Sequence, residues 1–469
     1  MSPSAKSYPM WPLVAYLALT PVWWLLGVID LVLLPLGLVM ALYLVAGGRV
    51  RGPRGFGLWV LFLVWMLASV VMVDTANHMV AFVYRAGIYL ASTAVFLYIY
   101  NHSDQRIGRR VAGLLTATWA WVVVGGFLGA LLPNTVIRTP AFWLLRTFAG
   151  GLASNDFINH MVVRRLAQYN PDSYLGVAAR PSAPFLYANN WGNVYSLLLP
   201  MVIVYLLILR RGEHRRDRAL FWVLGILVTV SIVPAAFTMN RGMLIGIGVV
   251  ALYLALRLAT RGHIMAMVAI VVVTLAGAVV FQHLAGDRLE TRLEGSGTST
   301  RASLYTQSLE LVPHSPIFGY GVPPTSQDVD APPVGTQGQF WMVLVSNGPV
   351  ATVAFVGFFL MVWWRSRRRR DGLGQVACAV SLAGVVELGF YGVVPYGLPI
   401  MMATAAVALR RPDARPRPIA VAPTRAVLHW PARAVGAPVT AEHGEPSTVT
   451  HGRSSAQAPS QSSTVGLNR

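Results

Sequence analysis

The chain has one cysteine, Cys378, and it falls within an apolar run. Neither a disulfide framework nor a thiolate metal cluster can be built from it within one chain. Charge is scarce as well: Asp, Glu, Lys and Arg make up 12% of the 469 residues, whereas apolar residues make up 55% and mean hydropathy is +0.56. One soluble core cannot hide that much apolar surface, so a bilayer takes the excess. Lysine occurs only at Lys6, and 18 acidic residues face 37 lysines and arginines, a net charge of +19. In a soluble protein this imbalance would suggest nucleic acid. Here the arginines cluster beside apolar runs and in the C-terminal stretch, so the charge reads as a topology signal, with membrane lipid and no nucleic acid as partner. Also missing are a phosphate-cradling P-loop, zinc-ligand spacing, a dinucleotide fingerprint and a repeat of fixed period, and no cleavable signal peptide is expected. No cofactor or metal is therefore expected, and an inverted-repeat transporter finds no support in the sequence.

What the chain does contain is about twelve apolar runs, most on the order of 20 residues, the length that crosses a bilayer. They cover 11–26, 28–45, 56–73, 80–100, 111–132, 191–209, 219–237, 243–258, 264–284, 340–364, 376–393 and 398–409. The basic clusters are Arg49, Arg51 and Arg54; Arg106, Arg109 and Arg110; Arg210, Arg211, Arg215 and Arg216; Arg261; and Arg365 with Arg367 to Arg370. Each follows an even-numbered run, so the positive-inside rule places all of them, and both termini, on the cytoplasmic side.

The expected fold is all-α, a polytopic membrane helix bundle of about 12 transmembrane helices with two long external loops containing short helices. The expected division is N-terminal membrane helices over 1–132, a first external loop region over 133–190 and central membrane helices over 191–286. A second external loop with an amphipathic helix follows over 287–338, then C-terminal membrane helices over 339–409 and a disordered cytoplasmic tail over 410–469. The tail is rich in Pro, Ala, Ser, Thr and Arg and cannot bury enough surface to fold alone.

Chemistry is sought where the outer turns carry polar residues. Arg241 lies in a short turn between two apolar runs, Thr238-Met239-Asn240-Arg241-Gly242. Its guanidinium can snorkel to headgroup phosphates, or it can grip a phosphate or diphosphate bidentately. Arg301 opens a segment whose Leu304, Leu309, Leu311 and Val312 suit an amphipathic surface helix, and Tyr305 follows one turn later. In the first excursion Arg164, Arg165 and Arg180 accompany Trp143 and Phe148. Such a set suits a lid over a sugar, with guanidiniums for phosphates and aromatic faces for rings; an external domain packed on the membrane reads equally well. Arg85 and Glu387 lie inside apparent spans, where a charge is costly unless it faces a cavity or a partner.

The order Asn240-Arg241-Gly242, then Arg301 with its helix, then Pro316-Ile317-Phe318-Gly319-Tyr320-Gly321, resembles the O-antigen ligase and Wzy polymerase-like superfamily. The segment Ala183 to Trp191, with Asn189, is similar to that family's Pro-Asn entry into the sixth span. The resemblance implies a bacterial cytoplasmic-membrane enzyme that transfers a glycan from a polyprenyl diphosphate carrier to a glycan or lipid acceptor at the outer face. It implies Arg241 and Arg301 on the diphosphate; with the first-excursion arginines Arg164, Arg165 and Arg180, the residues Asn189, Tyr305 and Gln339 are the expected substrate contacts.

The family's usual His-Asn before the next span is replaced here by Gly335-Thr336-Gln337-Gly338-Gln339. Glutamine cannot act as a base near neutral pH. Gln337 is therefore expected to orient the acceptor, and His314, whose unperturbed pKa lies near neutrality, ranks first as a substitute base. A flippase or transporter of a lipid-linked substrate, or a non-catalytic scaffold in envelope assembly, remain the alternatives.

Overall fold

The computed structural model describes residues 8–48, 50–149, 156–168, 179–294, 297–327 and 332–410, with no side-chain description for 156, 157, 160 or 287–301. The C-terminal tail beyond Arg410 lies outside the described residues.

The first apolar run forms two helices, α1 (Trp11–Ala18) and α2 (Thr20–Leu26), where one span was expected. Pro21 is the cause: it offers no amide hydrogen and its ring excludes the carbonyl four residues back. That carbonyl, on Leu17, instead accepts the hydroxyls of Thr20 at 2.9 Å and Thr118 at 2.8 Å. Two shorter helices follow, α3 (Leu33–Ala46) and α4 (Gly57–Ala68), the latter running into a 3-10 turn, Ser69–Met72. Helix α5 (Ala76–Asn101) begins at Thr75, whose hydroxyl accepts the His78 amide hydrogen at 3.2 Å. After it comes α6 (Ile107–Leu131).

The first excursion departs from the all-α expectation. Strand β1 (Val136–Arg138) leads to α7 (Pro140–Phe148) and α8 (Asp156–Val162) and pairs antiparallel with β2 (Val163–Arg165). A second antiparallel pair joins β3 (Ala167–Gln168) to β4 (Arg180–Pro181). These small ladders give the loop backbone the partners it would otherwise need from water.

Helix α9 (Ala188–Arg210) then leads to α10 (Arg215–Val230) and α11 (Ile232–Phe237), one apolar run broken at Ser231 because Pro234 cannot donate to residue 230. The remaining helices are α12 (Arg241–Ala259), α13 (Ile264–Glu294), α14 (Gly297–Leu311), α15 (Gln339–Ser366), α16 (Gly372–Glu387) and α17 (Gly397–Leu409). Among the described residues seven helices are long and apolar enough to cross a membrane, counting α10 with α11 as one, and four further apolar helices are shorter. The chain is a multi-pass membrane protein.

An aromatic cluster fills the core between α4, α5 and α15. Trp59 lies 5.6 Å from Phe355 and 5.1 Å from Phe358, Phe62 lies 4.9 Å from both Trp59 and Tyr89, and the Trp59 indole donates to Thr93 at 2.7 Å. At one end of the bundle the basic loops meet. Arg365 donates to the Arg54 carbonyl at 2.7 Å, Arg109 pairs with Asp217 at 3.5 Å, Arg257 donates to the carbonyls of Arg367 and Arg369, and Arg410 donates to those of Ile99, Tyr100 and His102. Arg369 grips Asp371, the N-cap of α16, with two bonds of 2.7 and 2.9 Å. Burial raises the Asp371 pKa, but the Arg369 and Gly374 hydrogen bonds outweigh it and hold the carboxyl below its ordinary value.

Candidate functional site

The opposite end holds the Thr238–Gly242 turn, and the structure fixes it from three sides. Met239 turns the chain with φ 50°, and Asn240 stands immediately before α12. Asn240 does not cap that helix with its side chain; its amide donates to the Ala188 carbonyl at 3.1 Å and accepts the Tyr391 hydroxyl at 2.5 Å. Gly192, one turn into α9, makes room: a Cβ there would sit 2.1 Å from the Asn240 amide nitrogen. On the third side Arg180 Nε donates to the Thr238 carbonyl at 2.7 Å, and its Nη2 reaches Asn189 Oδ1 at 3.4 Å. Arg241 therefore stands exposed on a cross-bonded turn at the positive end of α12. Arg180, Asn189 and Arg241, far apart in sequence, come together here.

Below the turn lies Glu387, fully buried, whose Oε2 accepts the Asn193 amide at 2.6 Å. Tyr391 follows it one turn later, its amide donating to the Glu387 carbonyl at 2.8 Å. Glu387 thus serves as an interior hydrogen-bond acceptor beneath the turn.

The second excursion reaches the same neighbourhood. Arg301 and Tyr305 are four residues apart on α14 and so share a face; the Arg301 side chain itself lies outside the described residues. Tyr305 stacks on Trp341 with ring centroids 4.8 Å apart, and the Trp341 indole donates to the Gly389 carbonyl at 3.1 Å, two residues before Tyr391. A chain of contacts therefore runs from Tyr305 through Trp341, Gly389 and Tyr391 to Asn240. Gln337 is half-buried in the turn that enters α15. His314 is exposed, with Nδ1 2.9 Å from the Glu310 carbonyl. Helix α14 docks on its own chain by Leu304, which packs with Val334 and Val345, while Leu309 remains 57% exposed.

The segment after α14 does more than stop a helix. Helix α15 breaks at Gly348, where φ is 81°, just ahead of Pro349. Proline leaves the Val345 carbonyl without its helical donor, and the Tyr320 amide fills the vacancy at 2.9 Å while Gly321 donates to Ser346 at 2.7 Å. The Trp65 indole holds the same segment through the Ile317 carbonyl at 2.8 Å.

Other expected contacts are used elsewhere. Arg164 is 1% exposed and bonds Asp30 at 2.6 Å, and Asp30 also accepts the Tyr396 hydroxyl. This buried pair ties β2 to the turn after α2 and to the start of α17. Arg165, next along the strand, faces the opposite way and is exposed. Gln339 is fully buried: its amide donates to Tyr89 at 2.7 Å and accepts from Val393 at 3.1 Å. Trp143 and Phe148 are exposed on α7. Sequence reasoning missed Asp30, Asn193, Tyr391 and Tyr396; Asp30 alone carried a signal, as a lone acid inside an apolar run.

Outside the spans, Asp74 is hydrogen-bonded by His78 at 2.5 Å, which lowers its pKa. At the arginine-rich end burial lowers that of His102, whose Nδ1 accepts the Asp104 amide hydrogen at 3.0 Å.

Residues 226–340 match the O-antigen ligase family. The match opens within α10, contains the Arg241 turn, α12, α13, α14 and the Gly319–Gly321 segment, and ends at the entry to α15. It supports the O-antigen ligase and Wzy-like superfamily for this chain. The matching stretch holds Arg241, Arg301, His314 and Gln337, whereas Arg180, Asn189 and Tyr391 lie outside it. A comparison with curated proteins gives no match.

Proposed function

We propose that the chain transfers a glycan from a polyprenyl diphosphate carrier to a glycan or lipid acceptor at the outer face of a bacterial cytoplasmic membrane. The observation that carries this reading is the continuity of contacts from the Arg301 face of α14, through Tyr305, Trp341 and Tyr391, to the Asn240-Arg241 turn. Both arginines lie in the stretch that matches the O-antigen ligase family.

In this reading the basic-loop end faces the cytoplasm. Arg241 and Arg301 hold the diphosphate and take up charge as the sugar C1–oxygen bond breaks. The acceptor hydroxyl, oriented by Gln337, forms the new bond from the opposite side of C1 and inverts the anomeric centre. His314 is the candidate to take the acceptor's proton. The stacked Tyr305–Trp341 pair offers an aromatic face to a sugar ring, and Arg180 with Asn189 binds substrate while fixing the turn. Arg165, exposed in β2, is a further candidate for substrate phosphate. Arg164 and Gln339, already bonded within the protein, act as positioning residues.

The test uses purified protein in liposomes with a labelled polyprenyl diphosphate glycan and acceptors. Transfer with carrier release, lost by about 10²–10³-fold in Arg241→Ala while the thermal midpoint is unchanged, is the expected outcome. Leaflet movement without bond exchange would replace the proposal with a flippase, and binding alone with a scaffold.

A further inference from the structure

Arg85 lies within an apolar span on α5, nine residues or about 13 Å along the helix from its start, and is half-buried. A guanidinium there needs a counter-charge or strong acceptors. None of the ion pairs among the described residues involves Arg85, and its Nη1 is buried with no hydrogen-bond partner there. Helices α4, α5 and α15, which surround it, carry no Asp or Glu.

Arg85 lines a small cavity, and other donors converge on it. Ser346 also lines it; that residue is 4% exposed and its hydroxyl has no partner among the described residues. Tyr89 lines it too, and because its oxygen accepts the Gln339 amide its own hydrogen is free to point elsewhere. Ser346 stands two residues before the break at Gly348, and Gly321 also lines the cavity.

We infer that Arg85, Ser346 and Tyr89 form a binding site for a phosphate group, separate from the Arg241 turn. A guanidinium with two hydroxyl donors and no carboxylate on the helices that line the cavity matches a tetrahedral oxyanion. The inference stands on this cavity alone and does not need the glycan-transfer reading. A soluble phosphate and a lipid headgroup share this chemistry.

The test is equilibrium dialysis of radiolabelled inorganic phosphate against detergent-purified full-length protein at constant ionic strength. Saturable binding is expected, weakened about tenfold or more in Arg85→Gln and less in Ser346→Ala. Arg138→Gln, on the exposed strand β1, and Arg241→Ala should retain it. Competition by short-chain phosphatidic acid but not phosphatidylcholine assigns the ligand to a headgroup; failure of both to compete assigns it to soluble phosphate. Absence of saturable binding in the wild type, or undiminished binding in Arg85→Gln, overturns the site. If Arg85→Gln does not fold, phenylglyoxal modification of wild-type Arg85, followed by mass spectrometry, decides the question: protection by phosphate supports the site and equal labelling with and without phosphate refutes it.

Discussion

Helices α9 and α13 are both apolar enough to span a bilayer, yet 72% of the spanning window of α9 is buried within the protein and only 6% of that of α13. Lipid is as apolar as leucine, so apolar character by itself does not draw one membrane helix to another; shape and hydrogen bonds do. Helix α9 has both. Its Trp191 donates to the Val122 carbonyl at 2.9 Å, Asn193 binds Glu387, and Gly192 admits Asn240. In α13 the Thr274 hydroxyl turns back to its own Ile270 carbonyl at 2.8 Å, and Val272 and Val273 face outward. The stretch that matches the O-antigen ligase family lies largely on the loosely held side, and the Arg241 turn is where that side is bolted to the tight one.

The sharpest test of this contrast is a pair of truncations. Trp191→Ala on α9 should cost about 3–5 kcal/mol, whereas Val273→Ala on α13 should stay within about 0.5 kcal/mol, both read from thermal or denaturant unfolding in detergent. Equal losses would erase the distinction. Next is the clamp between the first excursion and the bundle: Arg164→Met leaves Asp30 buried without its counter-charge and should cost about 3–5 kcal/mol, with Asp30→Leu in the same chain restoring much of it.

Gly192→Ala is smaller and bears on the bolt itself. Its Cβ must push Asn240 aside, an overpacking cost of about 1–3 kcal/mol, and transfer activity should fall more than stability does; activity and stability falling in parallel would mean the turn is merely structural. The smallest effect is that of pH. Unfolded histidine gains its proton near pH 6.5, while buried His102 resists to lower pH, so its contribution to stability is complete above about 6.5 and is lost as pH falls toward the folded value. The slope in that window should not exceed about 1.4 kcal/mol per pH unit, and His102→Asn should flatten it.

The sequence made the spans legible because length and apolarity suffice to mark them, as for 80–100 and 111–132, which the structure extends by only a few residues. It also implied that the basic loops share one end, since their spacing followed the crossing count. Partners were a different matter. Arg164 looked like an external sugar-phosphate contact because nothing in its neighbourhood shows that its acid lies 134 residues earlier. Gln339 looked equally available, although the backbone of Val393 and the hydroxyl of Tyr89 claim it. Long-range polar pairing leaves no local pattern, so the position of Arg241 was legible and the bolting of its turn by Arg180 and Tyr391 was not.

The seam between Tyr320–Gly321 and the split in α15 has a mechanical consequence. Pulling that strip out would strand two carbonyls away from water, each at a cost of about several kcal/mol, so the strip behaves as a rivet. Helix α14 is then strung between this rivet and α13, and a tug on its outer surface is delivered to the break in α15, beside Ser346 and Asn347, without being dissipated in the loop.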